Sequence, residues 1–179
     1  MKIYLASKSP QRHTLLKQIS IDFEVINIDI DESVNKNEMP SDYVRRIATE
    51  KAKAGKELSK NNLPVLAADT AIILDNTVLG KAESKKDAIH MLNKLSGRTH
   101  DVLSAVTVIG KKKITKVNTS KITFKKLSKD DISFYCSTGE PINKAGGYAI
   151  QGKGAILILK SKEPQMILIL KFTIFNLPL

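Results

Sequence analysis

The sequence predicts an α/β protein with a mixed β-sheet flanked by helices. Apolar strand-like runs and amphipathic helical segments are interspersed along the chain, without the strict alternation of an all-parallel sheet. Two pairs of strand-like runs are joined by short turns, which predicts hairpins within the sheet. The length of 179 residues and the hydrophobic content of 42% predict one domain, spanning 1–179, with a substantial core.

The first half of the chain predicts three strands and two helices. The strands share apolar or alternating sequences and lie at 2–6, 22–28 and 64–69. The helices repeat apolar residues at helical spacing and lie at 10–19 and from about Ser41 to Leu58. A serine begins each helix, which predicts Ser9 and Ser41 as N-caps, and Pro10 occupies the first position of the first helix. The acidic turn "DIDES" (29–33) precedes the longer helix.

The second half predicts two hairpins, two shorter helices and a glycine-rich loop. The hairpins turn at Asp75-Asn76 and at "GKKK" (110–113). Their strands lie within 71–81, at 101–109 and at 113–125. The helices lie at 84–95 and at about 128–136. The loop "NKAGGYAIQGKGA" (143–155) then leads into the apolar run "ILIL".

Composition argues against several classes of protein. The single cysteine, Cys136, rules out an intrachain disulfide framework, and we expect it to be a small buried hydrophobe. The apolar stretch at the N-terminus is too short for a secretory signal. The apolar C-terminal run "MILILKFTIFNLPL" contains Lys171 and is shorter than the ~18 residues that a membrane span needs. We therefore expect a cytoplasmic protein with no membrane partner.

The net charge of +11 raises the question of nucleic-acid binding. However, 25 of the 29 basic residues are lysines spread along the chain, and aromatic residues do not interleave with them. Proteins that recognise nucleic-acid sequences usually use arginine for bidentate contacts and aromatic residues for stacking. We interpret the charge as a lysine-rich surface, with weak affinity for polyanions as the open alternative.

Two stretches of the first half contain residue types that bind anions or metals. "LASKSPQRHTLL" (5–16) places hydroxyls and Arg12 at the start of a helix, which favours an anion, although a simply capped helix explains the same residues. Asp69 follows a buried apolar run and precedes Thr70. A carboxylate in this position is suited to metal binding or general-base catalysis, and equally to a turn.

Two further sets of residues have two interpretations each. Lys51 and Lys81 are either phosphate ligands or solvated lysines. The late loop contains four closely spaced glycines: Gly146, Gly147, Gly152 and Gly154. They allow a ligand to approach the backbone next to Gln151, whose amide both donates and accepts, or they simply permit a tight loop.

Taken together, these stretches resemble the Maf family of nucleoside triphosphate pyrophosphatases. The resemblance covers roughly residues 2–157 and rests on motifs that recur in order: "LASKSPQRHTLL", "DIDE", "YVRRIATEKA", "LAADTAIILDNTVLGK", "MLNKLSGRTH" and "GEPINKAGGYAIQGKGA". It implies an elongated single domain with a cleft between two lobes, similar to inosine triphosphate pyrophosphatases, and often a homodimer. It also implies hydrolysis of a nucleotide between the α and β phosphates with a divalent metal, Mg²⁺ or Mn²⁺.

The resemblance further implies roles for individual residues. Asp69 corresponds to the proton acceptor, and Glu32 of "DIDE" to the second acidic position of the metal site. The positions that correspond to substrate-binding residues are Ser7, Arg12, Lys51, Thr70, Lys81 and Gln151. The motif "ADT", the lysine after "LG" and the glutamine in "IQG" are similar to the branch that acts on dTTP and UTP, rather than the branch that acts on 7-methyl-GTP.

Two features depart from the family pattern. Gln11 and His13 flank Arg12 where the family usually has a run of arginines, so the positive field at this turn is weaker. The segment 159–179 lacks the family's Gly-Ser-Tyr element, and only its final Leu-Pro-Leu resembles the usual ending. An exposed apolar tail would favour aggregation or an altered dimer. The open alternatives are a catalytically impaired regulatory protein that binds nucleotides or nucleic acid, and a purine-nucleotide pyrophosphatase of similar fold.

Overall fold

The computed structural model describes residues 2–162. Seven strands lie in this described range: β1 (Lys2–Leu5), β2 (Asp22–Val25), β3 (Val65–Leu74), β4 (Thr77–Leu79), β5 (Thr99–Ile109), β6 (Lys113–Phe124) and β7 (Ile158–Lys162). The same range contains four α-helices, α1 (Pro10–Gln18), α2 (Pro40–Leu58), α3 (Lys85–Leu95) and α4 (Lys129–Ser137), and a 3₁₀ helix, Lys153–Leu157.

The strands form one mixed sheet, which confirms the predicted fold class. Their order is β2-β1-β3-β5-β6-β7, and β4 pairs with β3 outside this path. β1 is parallel to both β2 and β3, with Tyr4 beside Val65 and Leu5 beside Leu66. β4 is antiparallel to β3, and β7 is antiparallel to β6. Parallel strands at one edge of the sheet, together with antiparallel hairpins, are an arrangement consistent with the mixture of helices and short turns in the sequence.

Both predicted hairpin turns are confirmed. Asp75 and Asn76 connect β3 to β4 with φ values of 50° and 61°. Positive φ at both central residues is the geometry of a type I′ turn, which suits the twist of a two-residue hairpin and favours Asp and Asn. The "GKKK" segment connects β5 to β6, which are neighbours in the sheet.

Three predictions about where elements begin and end are wrong. Ser41 does not cap α2, because Pro40 takes the first helical position and Met39 becomes the N-cap. β2 ends at Val25 rather than at residue 28, because its partner β1 ends at Leu5. Asp69 does not end a strand, since the predicted strand 64–69 continues into the first strand of the hairpin.

The described residues group into two compact units. The first contains 2–69 and 104–118, and its largest core cluster packs α1 against β1, β3 and β5. The second contains 70–103 and 119–162, and its core packs α3 and α4 with β6 and the 3₁₀ helix. Cys136 is buried in this second core, as predicted. The single domain and the cleft between lobes stay predictions.

Two expectations concern the C-terminal part of the chain and possible membrane spans. The apolar run from Met166 and the final Leu177-Pro178-Leu179 lie outside the described residues. In the part of the chain that the structure describes, no helix is both long enough and apolar enough to cross a membrane.

Candidate active site

A buried lysine of the first unit holds two carboxylates. Lys51 Nζ donates to Asp69 Oδ1 at 2.8 Å and lies 2.9 Å from Glu32 Oε1. The exposed fraction is 7% for Lys51 and 5% for Asp69, and Glu32 is half-buried. Charges removed from water to this degree are retained only when they are paired. Lys51 is therefore not a solvated surface lysine.

The packing of α2 explains how Lys51 reaches Asp69. Tyr43, Ile47 and Lys51 follow one another at intervals of four residues, so they share the buried face of the helix. Gly55 lies one turn further along, and a Cβ on it would come within 2.9 Å of Ala6 Cβ and Val65 Cγ1. Because α2 contacts the sheet this closely, a charged residue on its apolar face meets the residues of β3.

The predicted phosphate-binding turn is held together around Ser7. Arg12 Nη1 donates to Ser7 Oγ at 2.9 Å, and Ser9 N–H donates to the same oxygen at 3.3 Å. His13 Nε2 donates to the Ser7 carbonyl oxygen at 3.1 Å. Ser9 is the N-cap residue, as predicted, but its side chain makes no capping hydrogen bond. The simple capped-helix interpretation therefore does not explain the hydroxyls of this turn.

Burial and neighbouring charges set the protonation of this group of residues. Burial raises the pKa of Asp69, and the nearby Glu32 adds to this effect, whereas Lys51 and Arg12 oppose it. Desolvation lowers the pKa of Arg12, and Asp69 and Glu32 act in the opposite direction. Arg12 therefore belongs to the same electrostatic cluster as the two carboxylates. Asp69 is more basic than an exposed aspartate.

Two residues that the sequence analysis missed fasten the acidic loop to α2. Tyr43 Oη donates to the Glu32 carbonyl oxygen at 3.0 Å. Arg46 donates to both carboxylate oxygens of Glu38, at 2.6 and 2.7 Å, and to the Ser33 carbonyl oxygen at 2.8 Å. Burial, with the charges of Asp69 and Glu32, raises the pKa of Tyr43 to about 12. The signal in the sequence is the scarcity of arginine, because Arg46 is one of four arginines beside 25 lysines.

The remaining predicted site residues belong to the second unit. Thr70 is half-buried in β3, and Lys81 is exposed and forms an isolated antiparallel bridge with Ala145. Gln151 is exposed on the glycine-rich loop. The structure thus brings five of the eight predicted residues into the first unit and three into the second.

Contacts within the second unit account for the glycines of this loop. Gly146 has a φ of +62°, and a Cβ on it would lie 2.8 Å from Ile72 Cγ1. A Cβ on Gly152 would overlap the carboxylate of Glu140, and one on Gly154 would lie 2.6 Å from the Ala149 carbonyl oxygen. The structural interpretation of the glycines is therefore sufficient without a ligand.

The chemistry of the carboxylates fits a divalent cation. Asp69 and Glu32 both contact Lys51 Nζ, so their carboxylates lie close to each other, and carboxylate oxygens are ligands that hard cations prefer. Among the described residues, no group of three or more His, Cys, Asp or Glu side chains could hold a metal. Mg²⁺ is usually bound by one or two carboxylates together with water and substrate phosphates, so two carboxylates are sufficient.

Comparison with known proteins identifies the family. The model for Maf-like proteins matches residues 2–166. The chain belongs to the Maf family. Among its Maf-family relatives, the dTTP/UTP pyrophosphatase of Pseudoalteromonas translucida is 47% identical, over 85% of this chain and 81% of its own length. The dTTP/UTP pyrophosphatase of Methylobacillus flagellatus is 46% identical, over 88% of this chain and 80% of its own.

Relatives with a broader name also match this Maf-family chain. The nucleoside triphosphate pyrophosphatase of Haemophilus ducreyi is 43% identical, over 88% of this chain and 82% of its own. Among solved structures, the Staphylococcus aureus Ham1 protein aligns with 69% of this chain and 71% of its own, with 19% identity and a TM-score of 0.47. That likeness is too weak to support an argument about function.

Proposed function

We propose that this Maf-family protein hydrolyses dTTP and UTP, and modified forms of these pyrimidine nucleotides, to the monophosphate and pyrophosphate. The observation that carries the proposal is the buried Lys51 between Asp69 and Glu32, with Arg12 in the same electrostatic cluster. Carboxylates for proton transfer and metal binding beside cations for phosphate are what phosphoanhydride hydrolysis requires. The names of the relatives support the choice of pyrimidine nucleotides.

Asp69 is the general base of the proposed reaction. Burial makes its carboxylate more basic, and Lys51 and Arg12 stabilise the ionised form that accepts a proton. Asp69 takes a proton from a water molecule, whose oxygen forms a bond to the α-phosphorus. The bond from the α-phosphorus to the oxygen that bridges to the β-phosphorus breaks, and pyrophosphate leaves with that electron pair.

The cations and hydroxyls of the predicted site bind the phosphates. Arg12 exchanges its hydrogen bond to Ser7 for one to a phosphate oxygen, and Ser7 Oγ remains as a second polar contact. Lys51 has three N–H donors and directs the third to phosphate while it holds the two carboxylates. Lys81, Thr70 and Gln151 complete the set of substrate-binding residues on the basis of the family resemblance.

Glu32 and Asp69 would hold the divalent cation, Mg²⁺ or Mn²⁺. When bound, such an ion neutralises negative charge on the triphosphate and on the leaving pyrophosphate. A cytoplasmic location, a homodimeric state and independence from nucleic acid complete the proposal. The homodimeric state rests on the family resemblance, and independence from nucleic acid rests on the lysine-rich composition. The cytoplasmic location is carried over from the sequence analysis as an expectation.

The test is pyrophosphate release from a panel of dTTP, UTP, CTP, GTP, ITP and 7-methyl-GTP. Each nucleotide is assayed with Mg²⁺, with Mn²⁺ and with a chelator. We expect dTTP and UTP to be hydrolysed fastest and the chelator to abolish release. Preference for ITP would instead indicate the purine-nucleotide enzyme. Salt-sensitive DNA binding without release from any nucleotide would indicate the regulatory protein.

A further inference from the structure

Two side chains fasten the loop segment that carries Gln151. Tyr135, on α4, accepts a hydrogen bond from Ala149 N–H at 3.1 Å. Glu140 accepts from Lys153 N–H at 3.0 Å and from Gly154 N–H at 2.9 Å. The backbone is therefore held on both sides of Gln151. We call Tyr135 and Glu140 the loop clamp.

The two members of the loop clamp also influence each other's charge. The Tyr135 hydroxyl accepts from Ala149, and the proximity of Tyr135 and Glu140 raises the pKa of the tyrosine and lowers that of the glutamate. Burial pushes the pKa of Glu140 upwards, but the hydrogen bonds from Lys153 and Gly154, together with the nearby Tyr135 hydroxyl, outweigh it and lower the pKa overall. Tyr135 is fully buried in the core of the second unit, so the network rests on a rigid support.

Two glycines of the loop lie directly against the loop clamp. A Cβ on Gly152 would overlap the Glu140 carboxylate, and a Cβ on Gly154 would lie 2.9 Å from Tyr135 Oη. Only a backbone without side chains at these two positions approaches the clamp so closely. The close approach that the sequence suggested for a ligand is thus made by Tyr135 and Glu140.

Gln151 depends on its backbone for its position. Its side chain is exposed, and it makes no hydrogen bond within the described part of the chain. An amide that recognises a base selectively needs a defined location, because ordering a mobile loop upon binding costs free energy. The backbone hydrogen bonds of 149–154 are what supply that location here.

We propose that Tyr135 and Glu140 are positioning residues for pyrimidine selectivity, because they hold 149–154 so that Gln151 meets the base in one orientation. This inference rests on the proposed function, since it assigns the contact between Gln151 and the base to that reaction. Neither residue touches the reacting atoms in this scheme, so both act through Gln151.

The experiment compares Glu140→Gln, Tyr135→Phe and Gly152→Ala with the wild-type protein and with Glu83→Gln. The first two remove clamp hydrogen bonds, and the third displaces Glu140 without altering its charge. Glu83 is an exposed glutamate of the same unit, so its variant is the matched control. Hydrogen–deuterium exchange is followed by mass spectrometry in peptides that cover 149–154 and, for comparison, α3. Values of kcat and KM are measured for dTTP and GTP.

We expect faster exchange in 149–154 and unchanged exchange in α3 for the three clamp variants. Loss of a hydrogen bond to a charged acceptor corresponds to about a tenfold increase in the exchange rate. The ratio of kcat/KM for dTTP to that for GTP should fall by about tenfold, through KM for dTTP rather than kcat. Glu83→Gln should match the wild-type protein in every measurement. A general loss of stability would instead accelerate exchange in α3 and lower kcat for both nucleotides.

Three results separate the possible failures. Unchanged exchange in 149–154 for Glu140→Gln and Tyr135→Phe overturns the clamp itself. Faster exchange with an unchanged dTTP to GTP ratio overturns its role in selectivity. If the wild-type protein releases no pyrophosphate, the proposed function fails. The ratio of dTTP to GTP dissociation constants, measured by calorimetry on the same variants, then decides the role in selectivity.

Discussion

At the scale of single residues, the informative feature is a lysine on the apolar face of a helix. Lys51 and Asp69 are both buried, and Lys51 Nζ lies 2.8 Å from Asp69 Oδ1. Removing one member of a buried ion pair leaves an uncompensated charge in a poorly solvated place, which costs several kcal/mol. Such a pair is more readily understood as part of a reaction site than as a device for stability.

Asp69→Asn should abolish most of the activity while the protein still folds, because Glu32 remains as a charged partner for Lys51. The amide preserves size and hydrogen-bonding reach but cannot accept the proton, so kcat should fall by at least ~10²-fold. Pyrophosphate release measures the effect, and circular dichroism checks the fold. Asp42→Asn, at an exposed position of α2, is the matched control. Near wild-type turnover in Asp69→Asn would mean that another carboxylate, most simply Glu32, is the base.

The pH dependence of kcat/KM should report the raised pKa of Asp69. Activity should decline on acidification at a higher pH than the usual aspartate pKa of 3.8 implies, because the base must be ionised. Lys51 lowers the pKa of Asp69, so in Lys51→Met kcat/KM should decline at a still higher pH. In Lys53→Met, at an exposed position on the same helix, the pH of this decline should not change. An unchanged pH of decline in Lys51→Met would show that Asp69 is not the titrating group.

Gln151 and Arg12 should affect selectivity in different ways. Thymine and uracil present an N–H donor between two carbonyl acceptors, which the Gln151 amide can match. Gln151→Glu replaces its donor by an acceptor, so kcat/KM should fall far more for dTTP and UTP than for GTP. Arg12→Ala should lower kcat/KM for all nucleotides in proportion, because phosphate is common to them. The reverse pattern, with the dTTP to GTP ratio altered only in Arg12→Ala, would refute both assignments.

At the scale of elements, α2 organises the acidic loop that precedes it. Tyr43 and Arg46, one turn apart, bond to the carbonyl oxygens of Glu32 and Ser33, and Arg46 also holds Glu38. The helix that carries Lys51 therefore also determines where Glu32 lies. Residues that hydrogen-bond to a metal-binding segment and orient its ligand often affect metal affinity nearly as much as the ligand itself.

Arg46→Met should weaken metal activation rather than catalysis at saturating metal. Loss of the contacts to Glu38 and Ser33 releases the loop, so the Mg²⁺ concentration for half-maximal activity should rise about tenfold or more. Titration of pyrophosphate release with Mg²⁺ measures this. Arg45→Met removes the same charge from the exposed neighbouring position and should not change the Mg²⁺ dependence. Equal Mg²⁺ dependence in both variants would argue against the role of Arg46.

At the scale of the whole molecule, stability should depend on pH through a buried histidine. His100 is hydrogen-bonded to Tyr148 Oη at 2.6 Å, and its Nδ1 is buried without a hydrogen-bond partner among the described residues. Burial lowers the pKa of His100 to about 4, whereas an unfolded chain has the usual value of 6.5. The unfolded chain therefore binds more protons between these values, and acid favours unfolding.

The contribution of His100 to the free energy of unfolding should be complete above pH 6.5 and lost as the pH falls towards about 4. Its size is about 3 kcal/mol, from the difference between the two pKa values. Urea denaturation at pH 7 and at pH 4.5 should show a smaller loss of stability in His100→Gln than in the wild-type protein. His90→Gln, at an exposed position, should behave as wild type. Identical losses in all three proteins would contradict this account.

Features that depend on neighbours within a few residues were predictable from the sequence. The hairpin turn at Asp75-Asn76 follows from residues that tolerate positive φ, and the helices and strands follow from the spacing of apolar residues. The motifs around Asp69 and Gln151 also led to the family, which the match over 2–166 confirms. All of these signals lie in short, continuous stretches of the chain.

The partners of charged groups were decided by tertiary packing. The spacing from Ile47 places Lys51 on the apolar face of α2, but the local sequence does not identify its partner, because the pairing with Asp69 depends on how closely α2 approaches the sheet at Gly55. The glycines of the late loop likewise suit a ligand in the sequence, but in the fold Glu140 lies against Gly152, and Tyr135 lies against Gly154. Whether a charge is desolvated, and which group then compensates it, depends on residues far apart in the chain that only the fold brings together.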